Sequence, residues 1–269
     1  MKIDIISDLH IDHWDNGYLS KNPSCKTLHK PFTPDNVEGS ILVVAGDVSD
    51  DFEMSIGYLN GLAKDYDKVL FIDGNHEHTE NYPFIKSRNG INNIIAEIAD
   101  DKLIYLGSNT HVIDGTAFIG INGWWDYRKM NKNVIENCKK NYFKKWMPHL
   151  LGKNSERFIQ NLGIISITQS YELRNKILVC DQDEEIKQII IVTHSVPLPK
   201  FCTESVIDTE LNTYFENLVD LSPKIKYWIF GHTHKKCSEE INGVRFISNP
   251  RGRPDDYHRE DYETLTISV

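Results

Sequence analysis

At 269 residues and 40% apolar side chains, the chain has enough length and apolar content to bury a sizeable core. Its formal net charge of −9 disfavours a general nucleic-acid-coating role and leaves room only for a local basic groove. Five scattered cysteines without a CxxC pair indicate neither a disulfide framework nor a thiolate zinc site, and no apolar run approaches the roughly 20 residues that span a bilayer.

Lys2 to Ser7 reads as a short Ile-rich strand that delivers Asp8 and His10. In extended chain such i and i+2 side chains point the same way, toward one ion. Asp12 to Ser40 contains Pro23, Pro31, Pro34 and Gly39 and predicts a surface excursion, with Trp14 and Tyr18 either at a cleft rim or packed on the body. Ile41 to Ala45 is a buried strand ending in Gly46-Asp47, and Glu53 to Lys64 has helical spacing. Val69 to Ile72 follows as a third strand ending in Gly74-Asn75-His76-Glu77. Strand, helix, strand in this order predicts parallel pairing.

Ile85 to Ala99 predicts a second helix, and Leu103 to Leu106 and Ala117 to Ile121 predict strands. Trp124 to Arg157 then carries nine Lys/Arg against three acids, +6 in a chain of −9. Val134, Cys138, Tyr142 and Trp146 recur there at helical spacing, which predicts an amphipathic helix with a basic outer face. Phe158 to Leu178 is helical in pattern, and the strand Gln188 to Thr193 delivers His194. Leu211 to Val219 reads as a helix, and the strand Tyr227 to Phe230 delivers His232 and His234. Val244 to Ser248 and Thr264 to Ser268 close the chain after Asn242-Gly243, a strong hairpin signal. The reading is one domain, 1–269, with a basic helical insertion at 124–157.

Asp8, His10, Asp47, His194, His232 and His234 thus stand at strand ends with metal-ligand chemistry, and Asn75 adds a neutral carbonyl. Nitrogen and oxygen donors without sulfur suit Mn²⁺, Fe or Zn²⁺ better than Ca²⁺. Seven ligands exceed one ordinary ion and fit two ions sharing a carboxylate, a pair that holds the attacking and leaving oxygens of a phosphate-ester displacement. The histidines outside these motifs, His13, His78 and His111 among them, receive ordinary structural roles. Arg251 and Arg253 are candidate bidentate contacts to a substrate phosphate, with a plain surface turn as the competing reading.

The order DLH, GDVSD, GNHE, TH and GHTH between Asp8 and His234 resembles the calcineurin-like metallophosphoesterase superfamily. SNPRG at Ser248 to Gly252 and GINGWWD at Gly120 to Asp126 are similar to small single-domain bacterial and phage members. The resemblance implies a four-layer α/β/β/α sandwich of two mixed sheets, with the site at the C-terminal strand ends. It implies that Asp8, His10 and His234 bind one metal and Asn75, His194 and His232 the other, with Asp47 bridging. It also implies that His76 donates a proton to the leaving oxygen after attack of a metal-bound hydroxide, and that Asp50 orients His76. Mn²⁺ is the expected ion, with Fe or Zn²⁺ as alternatives.

GDVSDDF lacks the Arg-Gly that protein phosphatases of the superfamily carry after the aspartate. The expected substrate is therefore a phosphodiester or nucleotide-type phosphomonoester. A metal-dependent DNA or RNA nuclease is the alternative, supported by the basic segment, and a non-catalytic binding scaffold on the same fold is the alternative of another class. The expected compartment is the cytoplasm, that of the host if the gene is a phage's, with no membrane partner.

Overall fold

The apolar runs are buried on both faces, so each strand feeds two cores. In β2 (Ile41–Ala45), Ile41, Val43 and Ala45 enter one cluster and Leu42 and Val44 another. In β7 (Gln188–Thr193), Ile190 and Val192 join the first of these clusters while Ile189 and Ile191 enter a third. Such runs, apolar throughout, mark strands covered on both sides. The computed structural model describes residues 1–14, 37–78, 88–143, 153–204, 207–256 and 262–269.

Two mixed sheets result. The first has the order β11 (Leu265–Ser268), β1 (Lys2–Ile6), β2, β3 (Lys68–Ile72), β4 (Leu103–Tyr105). Its strands run parallel except β11, which pairs antiparallel to β1. The second has the order β5 (His111–Ile113), β6 (Thr116–Ile121), β7, β8 (Ile225–Ile229), β10 (Val244–Ser248), β9 (Cys237–Ile241). Its two edge strands are antiparallel and its four inner strands parallel.

Ile3, Ile5, Val43, Leu70, Phe118, Ile190, Ile229 and Ile247 fill the space between the sheets. On the outer face of the first sheet, α1 (Phe52–Leu62) contributes Phe52, Ile56 and Leu59 and α2 (Arg88–Ile98) contributes Ile91. Asp51 caps α1 by accepting from Met54 N at 2.7 Å. The outer face of the second sheet takes Leu173 and Ile177 from the long α4 (Lys153–Gln182). This is the expected four-layer α/β/β/α sandwich. Among the described residues no helix is long and apolar enough to cross a membrane.

Several expectations change in detail. Leu211 to Val219 contains only a short 3-10 turn, Phe215–Leu218. The Asn212 side chain explains this: its NH₂ donates to the distant Gly123 O and Trp124 O, and its Oδ1 accepts from the nearby Tyr214 N, so these side-chain bonds displace a helical start. The basic segment begins with a turn, Tyr127–Met130, whose residues all have positive φ. It continues as α3 (Lys132–Cys138) and a π-helical turn, Lys139–Phe143. Trp146, Lys144 and Lys145, like Tyr18 in the earlier excursion, lie outside the described residues. The β9–β10 hairpin turns through Asn242 and Gly243, with φ of 51° and 79°, as a two-residue primed turn requires.

Candidate metal centre

All the parallel strands end on one side, and the motif loops leave from there. β1 stops at Ile6. Asp8 and His10 converge through left-handed backbone, φ 49° and 43°, and not as alternate residues of an extended strand. Asp47, His232 and His234 also have positive φ, 55°, 75° and 52°. Non-glycine residues enter this region at a cost and cluster at functional sites when neighbours hold them there. The neighbours are identifiable: His232 N donates to Asp8 Oδ1 at 2.8 Å, and His76 N to Asp47 Oδ1 at 2.8 Å. Space is equally tight. A Cβ on Gly74 would lie 2.1 Å from Asp47 Oδ1, and one on Gly231 would lie 2.7 Å from Asp8 Oδ2.

Two groups of ligand-type atoms form. Asp47, His194 and His232 offer one atom each within 4.8 Å of one another, and Asp8, His10 and His234 do the same. In the first group His194 Nδ1 donates to Ala45 O (2.9 Å) and His232 Nε2 to Thr209 O (2.7 Å). These carbonyls set the tautomers. Lone pairs on His194 Nε2 and His232 Nδ1 then face each other at 3.2 Å. Asn75 Oδ1 (3.1 Å) and Asp47 Oδ2 (3.2 Å) approach the same His194 nitrogen. Four acceptors around one point fit a cation. The demand for positive charge shows in His194: burial lowers its pKa, but the Asp47 carboxylate outweighs this and brings it up to about 10. Burial and the His194 charge push His232 down to about 3.

In the other group His234 Nδ1 donates to Asp256 Oδ2 (2.6 Å), leaving Nε2 to face His10 Nε2 at 3.0 Å and Asp8 Oδ1 at 3.7 Å. Asp8 Oδ2 is buried without a hydrogen-bond partner among the described residues, and burial raises the Asp8 pKa. This donor set also fits a cation. Asp47 Oδ2 lies 3.9 Å from His10 Nε2 and so stands between the two groups. Burial alone would raise its pKa, but His194, His76 and His10 hold it well below the usual carboxylate range.

His76 Nδ1 lies 2.5 Å from Asp50 Oδ1, and Arg253 Nη2 donates to His76 Nε2 at 2.7 Å. Arg251 is buried with its guanidinium 4.0 Å from the centre of the Trp14 ring, and burial lowers its pKa to about 10. The two arginines therefore differ in placement: Arg253 reaches the centre and Arg251 packs beneath it. Burial would raise the Asp50 pKa, but hydrogen bonds with His13 and His76 bring it well down.

Four neighbours of the centre had no role in the sequence reading. His13 Nε2 lies 3.3 Å from Asp50 Oδ2, and His13, His10, Asp50 and His76 form a third cluster of ligand-type atoms. Glu77 accepts from the N–H groups of Asp47, Val48, Ser49 and Gly74 and from Ser55 Oγ, tying the β2 and β3 loops together. Trp125 stacks on His232, 5.4 Å between centroids. Asp256 orients His234 and also accepts from Arg253 N at 2.7 Å. Glu77 was within reach, since it belongs to the same four-residue motif. His13 lies in a single 3-10 turn, Ile11–Trp14, and Asp256 at the end of a turn, and neither leaves a spacing signal.

A family model described as calcineurin-like phosphoesterase matches residues 1–236. An uncharacterized protein of Acanthamoeba polyphaga mimivirus is 24% identical over 261 residues, 92% of this chain and 89% of that protein. The structure is similar to phosphopantetheinyl hydrolase from Mycobacterium tuberculosis, with a TM-score of 0.66, 19% identity and coverage of 99% of this chain and 95% of that one. It is also similar to a dimetal phosphatase from Danio rerio, with a TM-score of 0.56, 13% identity and coverage of 99% and 91%. At these identities the likeness to both solved structures is one of fold.

Proposed function

Because the chain belongs to the calcineurin-like phosphoesterase family, we propose that it is a two-metal hydrolase of small phosphate esters. Asp8, His10 and His234 would hold one ion, Asn75, His194 and His232 the other, and Asp47 both. Mn²⁺ is the favoured ion, with Fe or Zn²⁺ next, and residues 1–269 act as one unit. When bound, such ions supply Lewis acidity and a nucleophile at neutral pH. The observation that carries this reading is the convergence of two acceptor-rich groups on the single carboxylate of Asp47.

The protein's own groups would do the rest. Asp50 accepts from His76 Nδ1–H and fixes the ring, so that Nε2 faces the incoming ester. Arg253 has donors only and occupies that Nε2 here. A phosphate oxygen would draw the guanidinium away and leave Nε2 to carry the proton for the leaving oxygen. The favoured substrate is a phosphodiester or nucleotide-type phosphomonoester, because the loop after Asp47 lacks the Arg-Gly of the protein phosphatases.

The nuclease reading rests on the basic segment. Two of its cations are already engaged, Arg128 with Asp208 at 2.6 Å and Lys139 with Glu136 at 2.9 Å. The scaffold reading would leave the intact ligand set without a purpose. Elemental analysis of Mn²⁺-loaded protein alongside hydrolysis of a chromogenic phosphodiester tests the proposal. Two ions per chain and turnover are expected, both lost in Asp47→Asn. Retention of both ions in that variant would remove the bridging role, and wild-type protein without ions or turnover would remove the proposal.

A further inference from the structure

Among the described residues α4 is the longest helix, 30 residues or about 45 Å, and only part of its circumference is used. Phe158, Leu162, Leu173 and Ile177 face the body. On the other side Ile164, Tyr171 and Val179 are 65%, 63% and 68% exposed, more than any other large hydrophobic side chain among the described residues. They stand seven and eight residues apart, which places them within about 80° of one another around the helix axis. Thr168 and Asn175 fill the gaps between them, and Asn161 and Gln182 extend the line, all exposed and uncharged. Single apolar side chains on a surface are ordinary, but the solvent face of a helix normally carries charge, and this line carries none over about six turns. The apolar surface continues beyond the helix. Val112 on the edge strand β5 is exposed and pairs with Ala117, so it points to the face of the second sheet that α4 covers. Thr110 borders one groove with Tyr171 and Val179.

The line is complementary to itself. About a midpoint between Tyr171 and Glu172, Thr168 mirrors Asn175, Ile164 mirrors Val179 and Asn161 mirrors Gln182. A two-fold contact demands this, because residue i meets residue j and j meets i. The two ends are opposite in charge. Arg157 continues the line toward the N-terminus, and the exposed Asp183, Glu184 and Glu185 follow the C-terminal end. An antiparallel pair sets Arg157 beside the acids of the other copy, whereas a parallel pair sets acids against acids. Those acids are also poorly placed on their own helix, whose C-terminal end is negative, and a neighbouring helix N-terminus offers them the opposite field. The flanking charges do not oppose this. Glu172 borders the line, 3.7 Å from Lys176, and its mirror position is Tyr171, whose hydroxyl is a donor. Lys176 turns to the body and donates to Leu106 O and Gly120 O. Glu156 and Arg174 lie together on the far flank, about 100° from the middle of the line.

We propose that this line is the seam of a symmetric dimer, two copies of the chain packed antiparallel through α4. Ile164 packs on the partner's Val179, Thr168 on the partner's Asn175, and the Tyr171 hydroxyl donates to the partner's Glu172. Two such strips with the apolar edge at β5 make a contact at the low end of specific interfaces, so a dissociation constant of about 1–100 µM is expected. Neither metal binding nor hydrolysis is needed for this association, and it stands or falls apart from the phosphoesterase reading.

Sedimentation equilibrium of the full-length protein across about 1–200 µM, a range that brackets this constant, should fit a monomer–dimer equilibrium. Tyr171→Lys puts a charge at the centre of the seam and should weaken the dimer at least about tenfold. Val179→Lys, two turns away on the same exposed face, should do likewise and serves if circular dichroism shows that the first variant does not fold. The register is read by oxidation of a chain carrying both Ile164→Cys and Val179→Cys. Within one chain these positions lie about 22 Å apart, too far for a disulfide, so the expected product is a covalent dimer. Ile164→Cys alone should give no more covalent dimer than wild type, because its own copy lies about as far away across the two-fold axis. Protein that stays monomeric throughout would overturn the proposal and leave the strip to a partner of another sequence. A dimer undiminished in both folded lysine variants would place the contact elsewhere and overturn it equally. Cross-linking by Ile164→Cys alone would overturn the antiparallel register.

Discussion

The two halves of the candidate metal centre are held in different ways. In the half built on Asp47, His194 and His232, each histidine is oriented by a backbone carbonyl, Ala45 O or Thr209 O, and the His194 side chain is 1% exposed. In the half built on Asp8, His10 and His234, the orienting group of His234 is the side chain of Asp256, 29% exposed and far along the chain. His10 Nδ1 has no partner among the described residues. Ala45 ends β2, so its carbonyl moves only if the sheet moves, and Thr209 holds its carbonyl in the main chain of a 3-10 turn, Ile207–Thr209, whereas a side-chain carboxylate turns by itself. The first half is therefore the preorganised one, and the second half takes its final shape from the Arg253–Asp256 turn.

The largest effect belongs to a residue that serves neither half as a ligand. His76→Ala should leave both ions bound, because the bond to Asp47 comes from the His76 backbone N–H, and should lower kcat on the order of 10²-fold or more. Steady-state turnover with metal content measured on the same sample checks this. Unchanged turnover would show that another acid protonates the leaving group. A smaller effect follows from the asymmetry itself. Asp256→Ala should weaken the Asp8–His10–His234 ion by about 10–100-fold, the usual cost of losing an orienting partner, and leave the other ion in place. Stepwise metal titration would show one affinity shifting and one standing still. Equal weakening at both positions would erase the distinction between the halves.

The preorganised half was also the half more open to sequence reasoning. Asp47, Asn75 and His194 follow apolar runs directly, so strand and ligand announce each other. Asp8 and His10 were read from the same kind of signal, but through an extended i, i+2 geometry that the positive φ values replace. The residues that reached the centre unannounced, His13, Glu77 and Asp256, work on other side chains or on backbone N–H groups and need no periodic position. The same holds for the fold. Buried strands were legible because they are apolar throughout, while β5 and β9 lie at a sheet edge with mostly exposed or half-exposed residues. There the chain has no burial pattern to display, and only the Asn242-Gly243 turn pointed to β9. The Asn212 bonds that replaced the expected helix at 211–219 join residues 88 and 89 positions apart, a separation that no local propensity registers.

The smallest expected effect concerns stability and again falls on the preorganised half. Asp73 is buried beneath that half, and its carboxylate accepts from His78, Tyr105 and Asn122, the residue whose carbonyl receives His194 N. Burial alone would raise the Asp73 pKa, but those three donors bring it below the usual value. A carboxyl depressed in the folded state stabilises the protein above its unfolded pKa of about 3.9 and loses that contribution as pH falls through the folded value. Asp73→Asn should therefore cost about 1.5–3 kcal/mol at neutral pH, the range for hydrogen bonds to a charged group. The gap in Tm between wild type and variant should narrow as the pH drops below about 4. Thermal melts of metal-free protein from pH 7 to pH 3 would read this directly. A gap of constant width would mean that the loss comes from shape and not from charge, and that the rigidity of this half owes nothing to the ionised Asp73.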